Sequence, residues 1–213
     1  MRMAELSARS GVPIPTIRFY MREGLVPPGE LTSPNQASYD DSHVRALKLA
    51  RTLVEVGGLS IARVRAVQEH IRAKDSELMG TLGSVQYGLT PEREPVEDET
   101  YRRAEQRVEA LLGDRGWTIR ERNPARRTLA DTLATLTRLG YGELVDRLDE
   151  YASTAEQLAE REVPELLARG TAESVAEGVI AYDVLGDAML SSLRRLAQEA
   201  VAAPLLEDGP GRG

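Results

Sequence analysis

Apolar residues recur along most of this chain at intervals of three and four, and glycine and proline mark the places where that rhythm stops. Met3, Ala4 and Leu6 set the inner face of a short helix over Met3–Ser10, which Gly11 ends as a left-handed C-terminal residue would. The segment VPIPTIRFYMREG restarts the pattern, with Pro15 in the first turn of a second helix, Ile17 and Met21 facing inward, and Gly24 as its stop. Two short helices joined through a tight glycine turn predict a helix-turn-helix unit. The next stretch, LVPPGELTSPNQASYD, is too rich in Pro, Gly, Ser and Asn to be helical. It is also too long for a bare connection, and predicts an extended hairpin or wing.

Helical spacing returns with Val44, Leu47, Ala50, Leu53 and Val54, which predict a helix from about His43 to Val56 capped by Asp40, Asp41 or Ser42. Gly57 and Gly58 break it, and Ser60 caps a fourth helix striped by Ile61, Val64, Val67 and Ile71. From Lys74 to Asp98 the pattern lapses. Gly80, Gly83, Gly88, Pro91 and Pro95 read as a linker with room for one short helix near Glu77–Leu82.

Beyond Glu99 every segment is helical in period. Tyr101, Ala104, Val108, Leu111 and Leu112 mark one helix ending near Gly113 or Gly116. Asn123 and Pro124 open a second, with leucines at 129, 133, 136 and 139 and Gly140 as its stop. A third runs from about Glu143 to Glu162, a shorter one spans Val163–Ala168 after a kink at Pro164, and Thr171 starts another through Leu185. The last, about Asp187 to Ala202, is apolar at Leu190, Leu193, Leu196, Ala197 and Ala200 and is stopped by Pro204. The expectation is a mainly α chain: a winged helix-turn-helix with a small β wing over 1–74, a linker with a short helix over 75–98, an all-α domain over 99–203, and a flexible tail over 204–213.

Composition narrows the function. Hydrophobic residues at 41 % and charged ones at 29 % suit a globular protein. No apolar stretch is long enough for a membrane span and Met1 opens no secretory signal pattern, so a cytoplasmic protein is expected. The absence of cysteine removes thiolate metal sites and disulfides. The only histidines, His43 and His70, lie in the first 74 residues, so no metal, cofactor or catalytic residue is expected, and the chain does not read as an enzyme. Net charge is −7, yet residues 1–74 hold 11 Lys/Arg against 7 Asp/Glu while the rest hold 16 against 27. A basic head on an acidic body points the head toward nucleic acid.

On a second helix entering the major groove, Thr16 and Arg18 would face outward, followed a turn later by Tyr20 and Arg22, with Phe19 at the boundary. These residues carry a resemblance. MAELSARSGVPIPTIRFYMREGLVPP, followed by NQASYDDSHVRALKLARTLVEVGGLSIARVRAV, resembles the DNA-binding domain of the MerR family of transcription regulators over about residues 3–71. The family's pattern is a helix-turn-helix ending in Thr-Ile-Arg-Tyr-Tyr, a Gly-Leu segment leading to proline, a wing closing on Tyr-Asp, and two further helices.

The resemblance implies that Thr16, Arg18 and Tyr20 address double-stranded DNA, with Arg22 beside them. Phe19 replaces the first tyrosine of the family's pair, and Tyr39 is the wing tyrosine. Gln36 and Ala37 stand where the family carries a Tyr-Arg pair, so the wing would grip through neutral hydrogen bonds from Asn35, Gln36 and Ser38. Pro15 and Met21 depart from the pattern on the helix itself. The resemblance further implies a homodimer on a palindromic promoter site, RNA polymerase as the partner there, and DNA bent between the half-sites. Helices 124–140 and 171–202 are expected to supply much of the dimer interface.

The resemblance ends before residue 75, and the body must be read from its own rings. Trp117, Tyr151 and Tyr182 each offer an apolar face with one polar handle and are the candidates for binding a small organic effector. The alternative is a ligand-independent regulator whose body serves dimerisation or a protein partner.

Overall fold

In the computed structural model, which describes residues 1–33, 36–72, 86–87, 89–90 and 96–207, helices dominate and a single two-stranded sheet follows the second helix. The chain divides into two compact units. Met1–Ala73 and Glu177–Gly213 make up the first, and Lys74–Ala176 the second.

In the first unit, α1 (Met3–Ser10) ends at Gly11, whose φ of 69° is left-handed and whose N–H donates to the Ser7 carbonyl. The Ser10 hydroxyl accepts the Val12 N–H at 3.3 Å, and the Ser7 hydroxyl donates to the Val12 carbonyl at 2.7 Å, which fixes the turn into α2 (Ile14–Arg22). Pro15 sits in the first turn of α2, as its spacing predicts. The wing is β1 (Glu30–Ser33) paired antiparallel with β2 (Gln36–Ser38). Its register sets Glu30 against Ser38 and Leu31 against Ala37, with an irregularity between Leu31 and Ser33.

The next helix, α3 (Asp41–Glu55), is capped by the Asp40 carboxylate, and α4 (Ile61–Arg72) by the Ser60 hydroxyl on the Arg63 N–H at 3.4 Å. Leu6, Val12, Ile17, Leu25, Val26, Leu47, Leu53 and Val64 are all buried to 1 % exposure or less. Each such leucine or valine stabilises the fold by roughly 1.5–3 kcal/mol. Two arginines bind the helix-turn-helix to its supports: Arg51 of α3 donates to the Gly11 carbonyl at 2.9 Å, and Arg65 of α4 to the Glu23 carbonyl at 2.7 Å.

Among the described residues, four helices lie wholly within the second unit: α5 (Glu99–Asp114), α6 (Pro124–Arg138), α7 (Gly142–Asp146) and α8 (Leu148–Leu167). Asp98 caps α5 through the Tyr101 N–H at 2.8 Å, and Asn123 caps α6 through the Ala125 N–H at 2.9 Å with Pro124 at the first position. Their core joins Tyr101, Ala104, Val108 and Leu111 of α5 to Ala130, Leu133 and Ala134 of α6 and Leu148 and Ala152 of α8.

Helix α9 (Ala172–Ile180) runs into a π-helical segment, Ala181–Gly186, and then α10 (Asp187–Glu207). Within the first unit, Glu177 pairs with Arg45 of α3 at 3.6 Å. A Cβ on Gly57 would lie 2.6 Å from Val184 Cγ1, so the π-helical segment packs directly on the turn after α3. From Met189 onward α10 is almost entirely exposed, with Met189, Leu193, Leu196, Val201, Leu205 and Leu206 each more than half accessible.

Several boundaries differ from the sequence reading. The helix expected from Glu143 is broken at Arg147, whose φ of −87° and ψ of 9° leave the helical region. Pro164 does not start a new segment; it lies inside α8, where it forfeits one backbone hydrogen bond while its carbonyl still accepts the Ala168 N–H at 3.0 Å. Pro204 likewise lies inside α10. Residues 177–203 group with the head and not with the four-helix unit, although the sequence pattern joined them to the body. The short helix expected near Glu77–Leu82, and Asn35 in the wing, lie outside the described residues.

Candidate nucleic-acid interface

Nine residues of α2 must both anchor a small domain and present a surface. Ile17 and Tyr20, at i and i+3, take the inner face at 0 % and 4 % exposure. Arg18 and Arg22 are exposed, while Thr16, Phe19 and Met21 are half-buried. Tyr20 therefore does not lie on the outward face assigned to it from sequence. Both Leu25 and Val26 fold back to donate to its carbonyl, at 2.9 and 3.4 Å, and the loop after α2 closes over that side of the helix. Burial pushes the Tyr20 hydroxyl pKa up; the Glu55 carboxylate adds to this and Arg51 opposes it.

The single phenylalanine of the chain supports an arginine. Arg22 holds its guanidinium carbon 5.4 Å from the Phe19 ring centroid, a cation–π distance, and its Nε lies 3.5 Å from Glu23. Phe19 and Tyr20 pack with centroids 5.9 Å apart.

Between α1, α2 and the wing runs a groove of about 700 Å³ lined among others by Arg2, Arg18, Met21, Leu31, Gln36 and Tyr39. It brings together Arg18, Gln36 and Tyr39 of the sequence candidates; Thr16, Phe19, Tyr20 and Arg22 do not line it. Arg2 is the residue that sequence reasoning missed as a site residue. Among the described residues, neither Arg2 nor Arg18 enters an ion pair. By contrast Arg9, Arg45, Arg51 and Arg65 are matched to Asp41, Glu177, Glu55 and Glu23. Much of the head's positive charge is thus spent on its own fold, and the groove holds two guanidiniums open to an anion or a base edge.

The base of the wing is tightly built. Tyr39 is buried, its N–H donates to the Met1 carbonyl at 2.9 Å, and its ring meets His43 edge-on with centroids 5.4 Å apart. Gly29 allows the approach, since a Cβ there would lie 2.5 Å from Tyr39 Cε1 and 2.8 Å from the Ser38 carbonyl oxygen. The Asp40 carboxylate accepts the Ser42 hydroxyl at 2.5 Å and meets His43 Nδ1 at 2.7 Å. These hydrogen bonds, the Ser42 one first, hold its pKa far below the usual carboxylate range.

In the four-helix unit, Trp117 is half-buried and its indole N–H donates to Glu156 at 2.8 Å. Arg115 binds the other oxygen of Glu156 at 3.0 Å and also the Ser153 hydroxyl at 2.8 Å. That bonding, the Trp117 hydrogen bond foremost, lowers the Glu156 pKa. Tyr151 is 43 % exposed, and Tyr182 belongs to the π-helical segment of the first unit. The ring that stands out was not among the candidates. Tyr101 is 2 % exposed and its hydroxyl is enclosed without a hydrogen-bond partner of regular geometry; burial raises its pKa, with Arg127 and Glu105 acting in opposite directions beside it. Among the described residues no group of three metal-ligating side chains occurs, and no helix is long and apolar enough to cross a membrane.

A family model described as MerR HTH family regulatory protein matches residues 1–71. A crystal structure of a Streptomyces coelicolor A3(2) protein, provisionally named as a transcriptional regulator, is 33 % identical in sequence. It superposes with a TM-score of 0.73 over 96 % of this chain and 97 % of that one. No curated protein matches the sequence.

Proposed function

Because the chain belongs to the MerR HTH family of regulatory proteins and is a DNA-binding transcription regulator, we propose that it reads a palindromic promoter site as a homodimer. The observation that carries the DNA reading is the groove between α2 and the wing, in which Arg2 and Arg18 stand without ion-pair partners. Arg18 reaches a base edge or phosphate, Arg2 a phosphate near the wing, and Gln36 donates from the wing itself. Thr16 and Arg22 border the same helix, with Phe19 steadying Arg22. Tyr20 and Tyr39 act from within, by fixing the helix and the wing base.

The dimer reading rests on α10. A helix of 21 residues, about 31 Å long at 1.5 Å per residue, exposes apolar side chains along most of its length. An isolated helix of that kind is marginal in water, and a second copy of itself is the partner that a two-fold DNA site requires. In the cytoplasm the bound dimer presents the promoter to RNA polymerase in an altered shape, with no catalysis of its own. The four-helix unit is the place for a small organic effector. Trp117 and Tyr151 are the rings it offers there, with the enclosed Tyr101 hydroxyl beside Arg127 and Glu105.

Fluorescence anisotropy on DNA from upstream of the chain's own gene tests the DNA reading. Arg18→Ala is expected to lower affinity at least about fivefold, the low end of the 1–3 kcal/mol set by a bidentate base contact. If Arg18 holds a phosphate instead, the slope of log K against log salt falls by about 0.9. Unchanged affinity together with unchanged slope would remove Arg18 from the interface.

A further inference from the structure

His43 occupies a position that the DNA reading leaves unexplained. It is the fifth residue after the wing, at the start of α3, and its side chain is only 11 % exposed. Its two ring nitrogens face opposite ends of the wing. Nδ1 lies 2.7 Å from the carboxylate of Asp40, just past the last strand, and Nε2 lies 3.4 Å from the carbonyl oxygen of Pro28, just before the first. The ring also seals the Tyr39 side chain edge-on. One imidazole therefore stitches together both chain crossings from which the wing emerges.

Both of those partners are acceptors, and an imidazole with a single N–H can satisfy only one. With the proton on Nε2, the Pro28 contact survives, but the Nδ1 lone pair faces a carboxylate oxygen at 2.7 Å, offset only by the Asp40 N–H at 3.3 Å. With the proton on Nδ1, the carboxylate is served and the Nε2 lone pair faces the Pro28 carbonyl. Only the doubly protonated ring donates at both ends, and in doing so it gives up the Asp40 N–H, which otherwise donates to Nδ1 at 3.3 Å. The remaining charged groups nearby are the N-terminal ammonium of Met1, which donates to the Tyr39 carbonyl at 2.6 Å, Glu5 and Arg9 of α1, and Asp41 and Arg45 of α3. They line the cleft on the far side of Asp40, where Arg9 is held by Asp41 and Arg45 by Glu177.

We propose that His43 is a positioning residue for DNA reading: its charged ring clasps both ends of the wing, and the wing's grip on DNA weakens as the ring loses its second proton. The proposal rests on the DNA reading given above.

The test uses the full chain and separates the clasp from the DNA. Hydrogen exchange over residues 28–40, corrected for the intrinsic pH dependence of exchange, is measured at about pH 5.5 and about pH 8.5. Wild type is compared with His43→Gln and, as a control for the other histidine, His70→Gln. Expected is about tenfold faster exchange of the wing at the higher pH in wild type and in His70→Gln, with no such change in His43→Gln. Affinity for the upstream DNA should follow the same pattern. Ring nitrogen NMR shifts of wild-type His43 give the protonation state directly, should His43→Gln fold poorly. An equal pH response in wild type and His43→Gln, or a ring carrying one proton at both pH values, overturns the proposal. Wing exchange that follows His43 while no variant binds DNA at either pH would keep the clasp and sink the DNA reading.

Discussion

Leu193→Glu is the sharpest perturbation of the dimer reading. Leu193 is 55 % exposed on α10, between Leu190 at 46 % and Leu196 at 64 %, in a stripe that continues through Val201 and Leu205. Full burial of a leucine is worth about 1.5–3 kcal/mol, and roughly half of that remains to be gained at this position. A two-fold interface counts the residue twice, so losing both leucines costs about 1.5–3 kcal/mol. Placing two unpaired carboxylates in the same contact adds a desolvation cost of at least similar size. The dimer should therefore weaken by about 3 kcal/mol or more, a factor above 100 in its dissociation constant. Sedimentation velocity at micromolar concentration reads this as a shift from dimer to monomer. Circular dichroism should show lost helix content as unpaired α10 frays. Ser191→Glu, which places the same charge on the face shared with Arg194 and Arg195, away from Leu190, Leu193 and Leu196, should leave the dimer intact. A wild-type chain that sediments as a monomer, or a Leu193→Glu chain indistinguishable from wild type, would refute the reasoning.

Other outcomes follow from the head. Gly29→Ala would set a methyl 2.5 Å from the Tyr39 ring and 2.8 Å from a backbone oxygen. It should lower urea stability by about 1–3 kcal/mol and weaken DNA binding further through a displaced wing. Tyr20→Phe should bind DNA within about twofold of wild type, because the ring packs inward, whereas Tyr20→Ala should cost about 3–5 kcal/mol of stability in a thermal or urea melt. Asp40 has a carboxyl pKa lowered by folding, so its contribution to stability is present above the ordinary carboxylate range and is lost as pH falls through the lowered value. Urea midpoints taken from about pH 6 down to about pH 2 should fall in wild type, and the fall should be shallower in Asp40→Asn.

Local chemistry made much of the fold legible. Gly11, the Ser60 cap and the Asn123–Pro124 start all stand where their backbone preferences place them. The wing was visible as a stretch that could not be helical. What failed depended on tertiary surroundings. Ile17 has inward partners at both i+3 and i+4, and the spacing alone favoured Met21; the loop from Leu25 to Val26, folding back on the Tyr20 carbonyl, decides for Tyr20. Pro164 and Pro204 looked like helix stops because the sequence shows the missing donor and not the neighbouring bonds that carry the helix past it. The grouping of α10 with the head leaves no trace in periodicity, since an apolar stripe does not say which surface covers it. Arg2 lay outside any helical pattern and gained meaning only when the wing was seen to close over it.

A nuclease footprint on the DNA upstream of the chain's own gene tests the central claim most directly. The account predicts a two-fold symmetric protected region whose halves are a helical turn or more apart, present with wild type and lost with both Arg18→Ala and Leu193→Glu. Protection that survives Arg18→Ala unchanged, or no protection anywhere in that region by a wild-type dimer, would contradict it.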